Sequence, residues 1–89
     1  MKKSTFTSEF AILRTELVNV RANAGLTQRQ LAKLLKVPHS WVAKVESGER
    51  RLDFIELYWV LSACGVEPLS FLKGTLKSFA GVQRRRAEG

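Results

Sequence analysis

Residues 27–48 read TQRQLAKLLKVPHSWVAKVESG, and the fold is decided there. Thr27 with Gln30 three places later is the signature of a capping box, in which each side chain satisfies a backbone N–H that the helix start leaves open. Leu31, Leu34 and Leu35 follow at the three- and four-residue spacing of one helical face, so the spacing predicts a helix to about Leu35. Lys36-Val37-Pro38 leaves a very short connection. Proline lacks an N–H and has a fixed φ, which suits the entry to a second helix. That helix is predicted from His39 to about Glu46, with Trp41, Val42 and Val45 as its large apolar residues and Ser47-Gly48 as its stop. Two short helices joined so tightly form a helix-turn-helix. The turn forces them to cross steeply, so the first braces the second and the second projects an exposed face.

The pattern extends outward on both sides. Phe6, Phe10, Leu13, Leu17, Val20 and Ala24 recur every three or four residues and predict a helix from about Ser8 to Ala24, ended by Gly25. Downstream, Glu49-Arg50-Arg51 is a charged loop, and Asp53 with Glu56 is a second capping box opening a helix to Cys64. A fifth helix is predicted from Pro68 to about Phe79, although Gly74 inside it costs about 1 kcal/mol of helix propensity. The remainder, 80–89, carries Arg84-Arg85-Arg86 and little to bury, and is expected to be a disordered basic tail on a 1–79 domain. No alternating strand pattern occurs. The expectation is an all-α, compact five-helix domain with its helix-turn-helix at helices two and three.

Composition narrows the function. Eighty-nine residues make one domain, and 45% hydrophobic content is ordinary for a globular chain. Fifteen Lys and Arg against eight Asp and Glu give +7, which points to a polyanionic partner, either nucleic acid or an acidic membrane surface. Between Thr27 and Arg51 there are six basic and two acidic residues, so the excess concentrates in the motif and favours nucleic acid. No run of about 18 apolar residues exists to span a membrane, and the basic start lacks the apolar stretch of a secretory signal. The one cysteine, Cys64, excludes an internal disulfide and a multi-cysteine metal site. These features fit a cytoplasmic protein without membrane association. Paired acid/base residues, a nucleotide loop and metal-ligand spacing are all missing, and the only histidine is His39. No enzyme activity, cofactor or metal is therefore expected.

Gly25, Leu26, Thr27, Gln28, Leu31, Ala32, Val37, Val42, Val45, Glu46, Gly48 and Arg50 together resemble the pattern of the Cro and phage-repressor (xenobiotic-response-element) helix-turn-helix regulators. The similarity runs from about Leu13 to Leu72. It implies a lambda-repressor-like domain that binds double-stranded DNA and regulates transcription, as a repressor and a homodimer. By resemblance, His39, Ser40, Ala43 and Lys44 are the base-contacting positions, and such side chains can donate to or accept from base edges. Gln28, Lys36, Trp41, Ser47, Arg50 and Arg51 match positions along the DNA backbone, with Gln28 also bracing the recognition helix. Trp41 is equally well read as a packing residue. Arg21 and Glu46 match an ion pair between helices one and three, and Cys64 a core position. Lys36 stands where the family often has glycine, and Pro38 where it usually has a Ser or Thr cap.

The chain has more apolar side chains than a small core requires. Ile55, Trp59, Leu69, Leu72, Leu76 and Phe79 are the candidate homodimer surface, which would set two recognition helices about 34 Å apart. The alternative is that Phe79 folds back on its own monomer and Trp59 packs on helix one. A competing function is an antitoxin, binding a toxin protein as well as its own operator.

Overall fold

The computed structural model describes residues 7–88, with side chains to residue 83. It contains five helices: α1 (Ser8–Asn23), α2 (Gln28–Leu35), α3 (His39–Ser47), α4 (Phe54–Ala63) and α5 (Pro68–Glu88). Phe6, the first member of the predicted α1 stripe, lies outside the described residues.

Each helix starts where a side chain can take up its open N–H groups, with one exception. Thr7 Oγ1 accepts from Phe10 N at 3.1 Å and opens α1. Both predicted capping boxes form in full. Thr27 exchanges bonds with Gln30, and Asp53 with Glu56. Glu67 precedes α5 and accepts from Leu69 N at 3.1 Å and Ser70 N at 2.9 Å. The exception is α3, which begins after Pro38 with no side-chain cap bond. The proline preorganises the entry but has no hydroxyl to offer.

The end of α2 departs from the usual chemistry in the same turn. Lys36 takes φ 60, ψ 43, the left-handed region where glycine is preferred. The bonds that close the turn are nevertheless made: Val37 N donates to Ala32 O and Lys36 N to Lys33 O. The short connection therefore survives a lysine, at a conformational cost of about 1 kcal/mol.

Four helices surround one core. Leu17 of α1, Leu31 and Ala32 of α2, Val42 and Val45 of α3, and Leu57, Val60 and Leu61 of α4 form a single buried cluster. Ala32 is 1% exposed, as expected of a small residue where two helices cross closely. Leu35 packs at the margin of this cluster. Leu34, the middle leucine of the predicted stripe, is exposed.

The tail expectation is overturned. Instead of ending near Phe79, α5 continues to Glu88, so 80–88 is helical. Thr75 and Val82 are buried, seven residues apart on one helical face, and α5 packs along α1. Val82 supplies an apolar anchor beyond Gly74 and Phe79. Tertiary packing there outweighs the propensity cost of a glycine in a helix interior. The side chains of Arg84-Arg85-Arg86 lie outside the described residues.

The Glu67 cap gives a pH signature. Hydrogen bonds from Leu69 and Ser70 hold its carboxyl below the usual carboxylate range. A depressed carboxylate adds stability above its unfolded pKa and loses it as pH falls. Glu67→Gln should therefore lower the melting temperature near neutral pH. The gap to the parent should close on acidification, as read by circular dichroism. A gap that persists in acid would assign the effect to something other than charge.

Candidate nucleic-acid interface

Helix α3 is two-sided. Val42 and Val45 are 2% and 3% exposed and lock one side into the core. His39, Ser40 and Lys44 are exposed on the other side, and Ala43 lies half-buried among them. Positions 39, 40, 43 and 44 are neighbours on a helix surface, so they make one continuous patch.

Helix α1 holds this scaffold at two points. Arg21 Nε lies 2.7 Å from Glu46 Oε2 and Nη2 lies 3.0 Å from Oε1, a bidentate pair. Its Nη1 also donates to Leu26 O at 2.9 Å. The side chains are 16% and 8% exposed, so the pair is largely withdrawn from water. Hydrogen bonding to Glu46 raises the Arg21 pKa further above its ordinary value. Gln28 Nε2 donates to Glu46 Oε1 at 2.8 Å, which ties the start of α2 to the same carboxylate. One amide N–H is committed inside the protein, and a primary amide has one more to offer. Cys64 is half-buried nearby and packed against the core, and burial pushes its thiol pKa up, away from reactivity.

The second point escaped the sequence reading. Arg14 lies two helical turns before Arg21 on the same face of α1. Its guanidinium rests on Gly48, at the carboxyl end of α3. A Cβ at Gly48 would sit 3.1 Å from Arg14 Nε and 3.2 Å from Cζ. Gly48 also has φ 89, so a side chain there meets backbone strain and a neighbour together. Arg14 Nε is buried without an acceptor among the described residues, and the group lies 5.8 Å from the Phe10 ring centre. The i, i+7 spacing of the two arginines was the available signal.

The loop after α3 is less open than expected. Lys36 and Arg51 are exposed, as is Ser47, whose Oγ is 3.2 Å from both Lys44 O and Glu49 Oε2. Arg50 is engaged within the protein. Its Nη2 is 2.6 Å from Glu56 Oε2, its Nη1 donates to Arg51 O at 3.1 Å, and its Cζ lies 5.2 Å from the centre of the Trp41 ring. Trp41 in turn is half-buried against the core. The packing reading of Trp41 is the one its surroundings favour.

The candidate dimer surface divides. Ile55, Trp59, Leu69 and Leu76 are exposed, and Phe54 and Tyr58, unnoticed in the sequence, join them on α4. Leu72 is half-buried and lines a hollow of about 180 Å³ with Phe54, Ile55 and Tyr58. Phe79 faces a different hollow with Phe10, Leu13 and Leu52, and so folds back on its own monomer. Trp59 remains 46% exposed.

The family model described as a helix-turn-helix domain matches residues 12–69, more than half of the chain. An XRE-family like protein from Pseudomonas syringae pv. tomato str. DC3000 is 35% identical, covers 80% of this chain and 87% of its own, and superposes with a TM-score of 0.76. The chain belongs to the XRE family of helix-turn-helix proteins. Its five-helix fold is also that of the restriction-modification controller protein C.Esp1396I. That protein is 17% identical, over 84% of this chain and 97% of its own, with a TM-score of 0.74. Among curated proteins no match is found. As an XRE-family member the chain is a DNA-binding regulator of the helix-turn-helix class. No single helix among the described residues is long and apolar enough to cross a membrane.

Proposed function

We propose that this XRE-family protein is a cytoplasmic transcriptional repressor that binds a palindromic operator as a homodimer. The observation that carries the reading is the exposed His39–Ser40–Lys44 patch on a helix whose opposite side is fixed in the core. A recognition helix needs both properties: side chains free to meet base edges, and a mounting stiff enough to hold them in register. Lys44 supplies a donor suited to guanine O6 or N7, and His39 and Ser40 can donate or accept. Ala43 is small enough for close approach to a thymine methyl.

In this reading Lys36, Arg51 and Ser47 lie along the phosphates, and the second amide N–H of Gln28 reaches one more. Phosphate neutralisation releases counterions and makes affinity fall with salt, by a log–log slope of about 0.9 per contact. Lys36→Gly separates two roles of one residue. It relieves the left-handed strain, so the melting temperature should rise by a few degrees. It also removes one cation, so duplex binding should weaken and the salt slope should drop by about one. A slope unchanged in both Lys36→Gly and Arg51→Ala would contradict the phosphate assignment.

Dimerisation is proposed through α4 and the outer face of α5. Phe54, Ile55, Tyr58, Trp59, Leu69 and Leu76 are all about half exposed or more, a larger cluster of apolar side chains than a monomer ordinarily leaves open. Sedimentation should show a dimer at micromolar concentration, dissociated by a Leu69→Asp, Leu76→Asp double replacement. A parent chain that stays monomeric at high micromolar concentration would reject it.

A further inference from the structure

Arg50 belongs to a strut that joins α4 to the recognition helix. Its parts are all fixed. The Glu56 carboxylate is held by the first turn of its own helix: Oε1 accepts from Asp53 N at 3.0 Å, while Glu56 N donates to Asp53 Oδ1 at 2.8 Å. The other carboxylate oxygen, Oε2, holds Arg50 Nη2 at 2.6 Å. The guanidinium then lies over the face of Trp41, a residue of the first turn of α3, at 5.2 Å from the ring centre. Trp41 packs among Leu17, Leu31, Val42 and Val60. The backbone of Arg50 is tied as well, since its N–H donates to Lys44 O at 3.1 Å. Arg50 is thus anchored through its main chain to the end of α3 and through its side chain to the start of α3 and of α4.

We infer that Glu56 and Arg50 are positioning residues that set the attitude of the recognition helix through Trp41, and that Arg50 is not a phosphate ligand. The inference rests on the DNA-binding reading above. The charges support it. A phosphate approaching Arg50 would sit beside a carboxylate already at contact distance from the guanidinium, and that carboxylate would repel it. A guanidinium over an indole face instead gains from the ring quadrupole and loses no partner. The structure therefore separates two adjacent arginines that look alike in the sequence. Arg51 is exposed, whereas Arg50 is half-buried and paired with Glu56.

The test is the salt dependence of binding by the full chain to a duplex enriched from a random pool, read by fluorescence anisotropy. Glu56→Gln keeps an oxygen for Asp53 N but removes the charge facing Arg50. Arg50→Gln removes the strut. Both should weaken binding by about tenfold, from the loss of a cation–π contact and a partly exposed ion pair, with the salt slope unchanged. Trp41→Phe retains a ring face and should retain most of the affinity, whereas Trp41→Leu should resemble Arg50→Gln.

A slope reduced by about 0.9 in Arg50→Gln would overturn the inference, because it marks a lost phosphate contact. Tighter or unchanged binding in Glu56→Gln would overturn it too, tighter binding being the mark of an arginine released to reach phosphate. If Arg50→Gln does not fold, Arg50→Lys keeps a charge without the planar fork, and should lose affinity at constant slope. If the parent chain binds no duplex, the functional reading fails separately. Trp41 emission in a Trp59→Phe background then decides the strut alone: a red shift on Glu56→Gln supports it, and unchanged emission overturns it.

Discussion

Replacing Glu46 by alanine is expected to lower the melting temperature by ~15 °C. One carboxylate serves three donors: Arg21 Nε, Arg21 Nη2 and Gln28 Nε2. Removing it leaves a guanidinium whose side chain is 16% exposed with Leu26 O as its one remaining partner among the described residues, and a Gln28 amide that has lost its Glu46 acceptor. Breaking a withdrawn ion pair at one end costs about 3 kcal/mol, because the surviving charge is uncompensated. Glu46→Gln should fall between the two, since it keeps an acceptor but not the charge. The raised Arg21 pKa adds stability that is complete below its unfolded value and lost only as pH rises through the strongly alkaline range. The penalty of Glu46→Ala should accordingly be flat across neutral pH on the arginine side. Unchanged melting with intact duplex binding would contradict the account.

The second large effect is on recognition and leaves stability alone. His39, Ser40 and Lys44 are exposed, and substitutions at such positions change stability by about 0.5 kcal/mol or less. Triple alanine replacement should therefore fold and melt as the parent does. Each good base contact discriminates by about 1–3 kcal/mol, so losing the set should erase at least ~100-fold of preference for an enriched duplex over a shuffled one. Salt-dependent, sequence-independent binding should persist, because Lys36 and Arg51 remain. Competition between the two duplexes measures the ratio directly. A ratio equal to the parent's would place base reading elsewhere.

Much of the fold is legible in the residues because its decisions are local. Thr27 with Gln30 and Asp53 with Glu56 announce two helix starts, and both boxes form with both bonds. The stripe Leu31, Val42, Val45 and the small Ala32 place the crossing of α2 and α3. What was not legible depends on the meeting of distant elements. The continuation of α5 to Glu88 rests on Val82, whose burial beside α1 cannot be read from a basic, glycine-containing segment. Arg50 and Arg51 both read in the sequence as residues along the DNA backbone. Their separation follows from where the crossing of α3 and α4 puts Trp41 and Glu56. Phe79 continues the apolar spacing of α5, but α1 and Leu52 lie close enough to line its hollow, so it serves the monomer. Arg14 is not legible in the sequence because a charged residue on a helix reads as solvated until its neighbour across the fold, Gly48, is known.

Whether α3 presents a rigid set of side chains to the edges of double-stranded DNA is decided by binding-site selection from a pool of random duplexes. Two short inverted half-sites centred about one helical turn, ~34 Å, apart should be enriched. A pool that remains random after repeated rounds, with retention governed only by salt, would contradict this expectation.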